Sequence, residues 1–299
     1  MTEMAASSGA ATSSPRRALV VLMSRMMLVP HVAWVALRAP KGTVVGWERF
    51  WGGVRATGVG GDVLWDTGDL DEMDAHLAIM ADHLDPSLPI VDLGSGNGRF
   101  TRRLASAFPS AMGVDLAQNA VNRAQTESDG LARVSFRALD VTAPDAGEKI
   151  RADIGADANV FVRGVLHILD PAGRVALANT AHQVVGSRGR VFLAETNFRG
   201  SQLGYLEHLG ATARHIPAPL ERAIADLPRP GHFGEQERVK TFPVSEWSVV
   251  ADGPADVETI PMRGSAEPEH IPGYYAVMAA REERSEPSVP PRRHPRSGR

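Results

Sequence analysis

From about residue 70 to residue 281, short apolar runs alternate with segments in which apolar residues recur every three or four positions. The short runs predict buried strands, and the longer spacing predicts helices. Such alternation is typical of an α/β fold with a doubly wound, mostly parallel sheet that is covered by helices on both faces. The predicted strands are 88–93, 111–115, 134–140, 159–165, 190–196, 256–262 and 273–280, and the predicted helices are 71–84, 99–108, 117–125 and the span between Asp170 and Gly186.

Composition divides the rest of the chain. Residues 1–17 are rich in Ala, Ser and Thr, and residues 282–299 are rich in Pro, Arg and Ser, so both are predicted to be disordered tails. Residues 18–68 are predicted to form an accessory helix followed by a loop with short helical turns over 47–65. Residues 69–281 are then the main domain.

The segment 18–37 is apolar and about long enough to cross a bilayer. Arg25 and Pro30 lie near its centre, and a central arginine costs about 2.5–3.5 kcal/mol on insertion. We therefore expect a helix broken near Pro30 rather than a membrane span, in a cytoplasmic protein. This helix would pack on the main domain or on a partner subunit, which would make a homodimer.

Residues 198–243 interrupt the alternation with clustered glycines, prolines and histidines. A connection of this length is uncommon in a compact domain, and such insertions often cover a binding site. The sequence therefore predicts a lid-like insertion before the last two strands.

The charge and the cysteine content of the chain limit which substrates, catalytic groups and metal ligands are possible. The formal net charge is −3, which argues against a nucleic-acid substrate. The chain has no cysteine, so disulfides, thiolate metal ligands and cysteine nucleophiles are excluded. The histidines and carboxylates lack the spacing of a metal site, and we expect no metal cofactor.

A glycine-rich loop, Val91-Asp92-Leu93-Gly94-Ser95-Gly96-Asn97-Gly98, follows the first predicted strand. Ligands of open α/β sheets bind at the carboxyl ends of the strands, and glycines let a ligand approach the backbone closely. The dinucleotide fingerprint requires a glycine at its sixth position, where this chain has Arg99. Asp92 would repel a pyrophosphate but would suit an ammonium or sulfonium group.

Two further acids follow the next two strands. Asp115 ends the second strand, and a carboxylate there can accept hydrogen bonds from both hydroxyls of a ribose. Asp140 ends the third strand and can accept from an adenine amino group, beside the apolar residues Leu116, Leu139 and Val141. A glycine loop and two acids at successive strand ends together predict a nucleoside-binding site.

These motifs resemble those of the class I S-adenosylmethionine (SAM)-dependent methyltransferases. Residues 91–98 resemble motif I, residues 113–116 motif II and residues 138–141 motif III, while residues 161–167 (Phe-Val-Arg-Gly-Val-Leu-His) resemble the fourth strand of the small-molecule enzymes. The resemblance implies a seven-stranded sheet with a reversed final strand, SAM as cofactor and a small-molecule acceptor, such as a secondary metabolite. The cofactor residues that it implies are Asp92, Gly94, Ser95, Gly96, Gly98, Asp115, Leu116, Asp140, Val141 and Arg163.

The acceptor side is less well defined by the sequence. His167 follows the fourth strand and is the first candidate for a general base, although a structural role is an open alternative. Glu195 and Asn197, after the fifth strand, are candidate acceptor contacts. Other candidates for the pocket wall are His208, His215, His232, Trp47, Trp51 and Trp65.

Two alternatives remain open on the sequence alone. The same motifs would serve a SAM-binding protein without transferase activity, such as a sensor. A nicotinamide-dependent oxidoreductase also uses a glycine loop, but Arg99 and Asp92 argue against it.

Overall fold

The computed structural model describes residues 28–30, 32–35, 37, 42–67, 71–212, 214–262 and 268–281. The predicted tails, 1–17 and 282–299, and most of the predicted accessory helix, which begins at residue 18, lie outside these residues. Residues 28–30 and 32–35 are helical. Leu28 is buried in an apolar cluster with Leu220 and Val257, so the described part of this segment packs on the main domain.

The centre of the fold is one seven-stranded sheet with the order β3-β2-β1-β4-β5-β7-β6. Strands β1 to β5 are parallel, and β7 runs antiparallel to both β5 and β6. The predicted α/β sheet with one reversed strand is therefore confirmed. The strands are β1 Ile90–Leu93, β2 Ala111–Asp115, β3 Val134–Ala138, β4 Asn159–Arg163, β5 Arg190–Thr196, β6 Trp247–Thr259 and β7 Glu269–Ala280.

Helices cover both faces of the sheet and the edge where the parallel strands end. They are α1 Thr43–Gly53, α2 Asp71–His83, α3 Arg99–Leu104, α4 Gln118–Glu127, α5 Ala146–Ile154, α6 Pro171–Val185, α7 Gln202–His208, α8 Ala218–Asp226 and α9 Glu235–Thr241, with a 3-10 turn at Leu166–Ile168. Among the described residues, no helix is both long and apolar enough to cross a membrane.

Local signals explain where several elements begin. Asp170 caps α6, because its Oδ1 accepts a 2.7 Å hydrogen bond from the backbone N–H of Gly173, and Pro171 occupies the first turn. Strands β1 and β2 are buried at every position, as expected for central parallel strands.

Three predictions about element boundaries were wrong. Residues 43–53 form one continuous helix, α1, whereas the sequence predicted a loop with only short helical turns over 47–65. The helix forms because its aromatic side chains pack on the main domain. Strand β6 begins at Trp247 instead of residue 256, since its first half lies at the sheet edge and alternates between exposed and half-buried positions. Strand β7 likewise begins at Glu269 instead of residue 273.

The hairpin of β6 and β7 extends beyond the end of β5. Thr196, the last residue of β5, pairs with Gly273, whereas β7 continues to Glu269, which pairs with Thr259. The extension stands above the sheet edge, where the loops after β1 to β4 also meet. These elements enclose a crevice at the carboxyl ends of the parallel strands, as in other open α/β sheets.

Candidate active site

A cavity of about 600 Å³ occupies the crevice at the carboxyl ends of the strands. One side is formed by the loops after β1, β2, β3 and β4, and the other by the N-terminal helical segment, the 198–243 insertion and the β6–β7 hairpin. Of the residues predicted to bind the cofactor, the cavity is lined by Gly94, Gly96, Asp115, Leu116, Asp140, Val141 and Arg163.

The glycine loop needs its glycines for two reasons. Gly94, Gly96 and Gly98 all have positive φ values, of 88°, 54° and 72°, which other residues rarely adopt. A Cβ atom at Gly94 would overlap the side chain of Val165, and one at Gly96 would lie 2.9 Å from the Trp51 ring. The loop therefore lies close to both the β4 turn and α1.

Asp92 lies beneath the glycine loop. Its carboxylate accepts a 2.6 Å hydrogen bond from the Thr101 hydroxyl, and the residue is only 3% exposed. Burial raises the pKa of Asp92 to about 7, and the negative charge of Asp115 contributes further. Asp92, Ser95 and Gly98 do not lie on the cavity wall, so direct contact between these residues and the cofactor stays a prediction.

Asp115 connects the end of β2 to the glycine loop. One carboxylate oxygen accepts a hydrogen bond of 2.8 Å from Gly96 N–H, and the other accepts one of 2.9 Å from Ala117 N–H. Burial raises the pKa of Asp115 to about 6 despite these bonds. Each carboxylate oxygen can accept a second hydrogen bond, so the group can still receive hydroxyls from the cavity.

Asp140 stands at the cavity wall after β3. Its Oδ1 accepts hydrogen bonds from the N–H and the hydroxyl of Thr142, at 2.8 and 2.6 Å. Oδ2 makes no hydrogen bond with any residue that the structure describes. Leu116 and Val141 lie on the same wall, so an acceptor oxygen and apolar surface are available together, as predicted for an adenine ring.

Arg163 ends β4 and is held by a buried carboxylate. Its Nε and Nη2 donate hydrogen bonds of 2.8 and 2.7 Å to the two oxygens of Glu72, and Nη2 also donates to the Glu258 carbonyl. Burial alone would raise the pKa of Glu72, but the charge and hydrogen bonds of Arg163 hold it below its ordinary value. Arg163 lines the cavity as a fixed, charge-compensated group.

Helix α1 contributes aromatic side chains to the cavity wall. The sequence analysis named these residues among several candidates for that wall. Trp47 and Trp51 line the cavity together with Trp65, and their rings contact each other and Phe50. Glu48, on the same helix, accepts hydrogen bonds from the first two N–H groups of α4. Helix α1 is thus fixed to the side of the cavity that the loop after β2 forms.

The 198–243 insertion forms much of the opposite wall. Helices α7 and α8 contribute apolar side chains to the cavity, and an ion pair of 2.7 Å between Arg49 and Asp226 connects α8 to α1. Arg222 of α8 also donates a hydrogen bond to the carbonyl of Gly53. The apolar cavity residues of the insertion are Leu203, Leu206, Leu220, Ala223, Ile224, Leu227, Pro228 and Pro230.

His167 lies in the turn after β4 and lines the cavity. Its ring Nδ1 is 2.7 Å from Oε2 of Glu195, a residue of β5 that is fully buried. The same carboxylate accepts hydrogen bonds from the backbone N–H groups of Val165, Leu166 and His167. The structure therefore brings the predicted base to the cavity and fixes its ring through Glu195.

The predicted acceptor contacts at Glu195 and Asn197 are corrected by the structure, because neither residue lines the cavity. Alternate residues of a strand point to opposite faces, so Thr196 faces the cavity and Glu195 faces the β4 turn. His208, His215 and His232 do not line the cavity either. The spacing in sequence gave no sign that Glu195 would lie against His167, since the two are 28 residues apart.

Residues 90–189 match a family model described as "Methyltransferase domain". This match covers the glycine loop and both acids, the same residues that form one side of the cavity. The chain carries a class I SAM-dependent methyltransferase domain. The predicted family and fold are thereby confirmed.

Known proteins resemble the methyltransferase domain to different extents. A SAM-dependent methyltransferase from Anabaena variabilis is 25% identical with a TM-score of 0.70, over 81% of this chain and 97% of that one. A structure from work on the conversion of a disulfide bond into a thioacetal group during echinomycin biosynthesis is 16% identical (TM-score 0.52; 69% of this chain, 81% of that one), which shows the fold alone.

A ubiquinone biosynthesis O-methyltransferase from Leptothrix cholodnii is 29% identical over 112 residues. The match covers 37% of this chain and 45% of the relative, so it spans less than half the length of that enzyme. The likeness concerns the methyltransferase domain and leaves the acceptor to be inferred from the site itself.

Proposed function

We propose that this protein transfers a methyl group from SAM to a small, largely apolar acceptor molecule. The observation that carries this proposal is a single cavity, in which the glycine loop and the two acids face an apolar chamber with His167 on its wall. Such a cavity can hold a cofactor and an acceptor side by side, which is the main requirement of an in-line transfer.

The nucleotide side fits SAM by its donor and acceptor groups. Asp115 offers carboxylate oxygens for ribose hydroxyls, and Asp140 offers Oδ2 for an exocyclic amino group. Gly94 and Gly96 keep this wall free of side chains, and Trp51 packs against Gly96. Bound there, SAM would supply an electrophilic methyl group, and Arg163 stands nearby for its carboxylate.

The other side of the cavity fits an apolar acceptor. Val29, Val32 and Ala33 join the apolar residues of α7 and α8, while Val257 and Ile271 come from the β6–β7 hairpin. Walls of this kind exclude water and bind ligands through buried apolar area, at about 25 cal/mol per Å². Duplex DNA or a folded protein would not fit into a cavity of about 600 Å³.

The curated relative agrees with this substrate class, since it is named for O-methylation in ubiquinone biosynthesis. Because the match spans less than half of that enzyme, its substrate is not transferred to this chain. The cavity supports only the shared feature, a small organic acceptor, and a secondary metabolite fits that description.

A test is to fill the apolar chamber without touching the nucleotide side. In Ile224→Trp, methyl transfer from radiolabelled SAM to small aromatic and isoprenoid acceptors should fall at least about tenfold, because the larger side chain occupies space that the acceptor needs and a misfit in an apolar pocket costs about 1–3 kcal/mol. Its affinity for SAM should stay the same. Val175→Trp, at an exposed position of α6, is the matched control and should change neither quantity.

Transfer to DNA, RNA or protein instead of small acceptors would contradict the proposal. SAM binding without S-adenosylhomocysteine formation from any acceptor would favour the alternative, a SAM-binding protein without transferase activity.

We also propose that the protein forms a homodimer through its N-terminal segment and acts in the cytoplasm. The dimer is supported by the apolar surface of this segment, where Leu37 is 85% exposed and Val44 and Val45 are about half exposed. Light scattering of the full chain tests it, because Val45→Glu should convert a dimer to a monomer. A monomer at all concentrations would contradict this proposal.

A further inference from the structure

The pair formed by His167 and Glu195 fixes which ring nitrogen faces the acceptor. Nδ1 lies 2.7 Å from a carboxylate oxygen of Glu195. In the neutral ring Nδ1 therefore carries the proton and donates a hydrogen bond to this oxygen. Nε2 then has a free lone pair. It makes no hydrogen bond with any residue that the structure describes, and His167 lines the cavity. The histidine is thus arranged as a proton acceptor.

We infer that the accepting atom is the oxygen of a hydroxyl group and that Nε2 of His167 removes its proton. The inference rests on the proposed function, because it names the accepting atom of that same transfer. Glu195 acts as a positioning residue, since it touches His167 and not the cavity.

The chemistry of the accepting atom explains why a base is needed. A neutral amine already presents a lone pair, and a thiol with a pKa near 8.5 is partly ionised at neutral pH. A phenol, with a pKa near 10, and an aliphatic alcohol are almost entirely protonated at pH 7. A hydroxyl therefore gains most from a base that takes the proton as the new bond forms.

The step balances with the groups named. The hydroxyl oxygen forms a bond to the methyl carbon, and the carbon–sulfur bond breaks with its electron pair remaining on sulfur. The hydroxyl proton goes to Nε2 of His167, and the resulting imidazolium is stabilised by the Glu195 carboxylate. The proton then leaves to water, and the products are a methyl ether and S-adenosylhomocysteine.

The surroundings of Glu195 make Glu195→Gln a sharp test of its role. Oε1 accepts from two backbone N–H groups, so the amide oxygen of a glutamine must take that place. Its NH2 group would then face both Nδ1 and the backbone N–H of His167, and of these two only Nδ1 can accept a hydrogen bond. This reverses the tautomer, places the ring proton on Nε2 and removes the base without removing the imidazole.

The first arm of the experiment compares 2-naphthol, 2-naphthylamine and 2-naphthalenethiol, which differ only in the accepting atom, and adds larger polycyclic phenols and amines. Label from SAM should appear mainly in the hydroxyl compounds, and only this transfer should depend strongly on His167. His167→Ala should lower this transfer by about 10²–10⁴-fold, and Glu195→Gln by at least about tenfold. SAM affinity should be retained in both variants, and each should remain folded at the assay temperature although its melting temperature falls, because Glu195 is buried and hydrogen-bonded. His215→Ala, at an exposed histidine outside the cavity, is the matched control.

The second arm needs no acceptor. Nitrogen NMR of ¹⁵N-histidine-labelled protein with SAM bound, assigned by loss of the signal in His167→Asn, should show the His167 proton on Nδ1 at pH 8. Glu195→Gln should move it to Nε2. A wild-type ring that carries its proton on Nε2 would overturn the inference.

The two arms separate the inference from the proposed function. Methylation of amines or thiols that exceeds methylation of the hydroxyl compounds and persists in His167→Ala overturns the hydroxyl assignment but leaves a methyltransferase. Failure to transfer label to any compound, in protein that binds SAM, counts against the proposed function itself.

Discussion

The carboxylate of Asp115 accepts a 2.8 Å hydrogen bond from the backbone N–H of Gly96, and this bond connects the end of β2 to the loop after β1. The acid therefore holds the loop in shape and also faces the cavity. Loss of the carboxylate should affect both the loop and the ligand.

Replacement of Asp115 by alanine should weaken SAM binding by about one to two orders of magnitude. Hydrogen bonds to a charged group contribute roughly 1.5–3 kcal/mol, and the variant loses those from the ribose. Isothermal titration calorimetry measures the change. An unchanged dissociation constant would remove the assignment of Asp115 to the ribose.

SAM affinity should also depend on pH. Because burial raises the pKa of Asp115 to about 6, the carboxylate is ionised above this value and becomes protonated below it. Protonation removes an acceptor for the ribose, so affinity should fall as pH drops below about 6, by at most about tenfold per pH unit for one proton. Asp115→Asn cannot titrate at this position, so its affinity should fall less than that of the wild type between pH 6 and pH 5, while Asp92, with a pKa of about 7, titrates in both proteins. An equal fall in the two proteins would argue against this linkage.

Gly96→Ala should lower both stability and SAM affinity. The positive φ of 54° costs about 1–2 kcal/mol for alanine, and the new Cβ would lie 2.9 Å from Trp51. Gly130→Ala is the matched control, because its φ is 79° but no atom lies within 4 Å of the new Cβ. A thermal melt should show a larger loss for Gly96→Ala, and only this variant should lose affinity. Equal losses would mean that contact with Trp51 is unimportant.

Asp92 should make the folded protein less stable as pH rises. Its pKa is about 7 in the folded protein and near 3.8 without burial, so the native state binds the proton more tightly. The contribution to the free energy of unfolding is present below pH 4 and is lost as pH rises towards 7 and above.

Asp92→Asn does not titrate at this position and keeps an acceptor for the Thr101 hydroxyl. The melting temperature of the variant minus that of the wild type should therefore be larger at pH 8 than at pH 5. The increase should be a few degrees, at about 2–4 °C per kcal/mol. Asp115 titrates in both proteins and cancels in this comparison. A difference that is the same at both pH values would show that Asp92 is not buried as a neutral acid.

Much of the nucleotide side could be predicted from the sequence, because it is built from short local patterns. The loop at 94–98 and the acids Asp115 and Asp140 each follow a buried apolar run, and parallel strands bring their ends to one edge. The cap at Asp170 is equally local, since the acceptor and donor lie three residues apart.

The acceptor side depends on contacts between distant segments, and sequence patterns do not show these. Helix α1 is stabilised by packing of Phe50 and Trp51 on the main domain, which a glycine-rich sequence conceals. The first half of β6 is a long edge strand that contains Gly253 and Pro254, two residues typical of turns. In the sequence, Glu195 is a polar residue at the end of a predicted strand. Its contact with His167 is visible only in the three-dimensional structure.

The glycine loop, Asp115 and Asp140 are assigned here to the binding of SAM. Calorimetric titration of the purified full chain with SAM, S-adenosylhomocysteine and NAD in parallel tests this assignment. Dissociation constants on the order of micromolar are expected for the first two ligands, and no heat of binding is expected for NAD. Binding of NAD alone, or of none of the three, would show that the assignment is wrong.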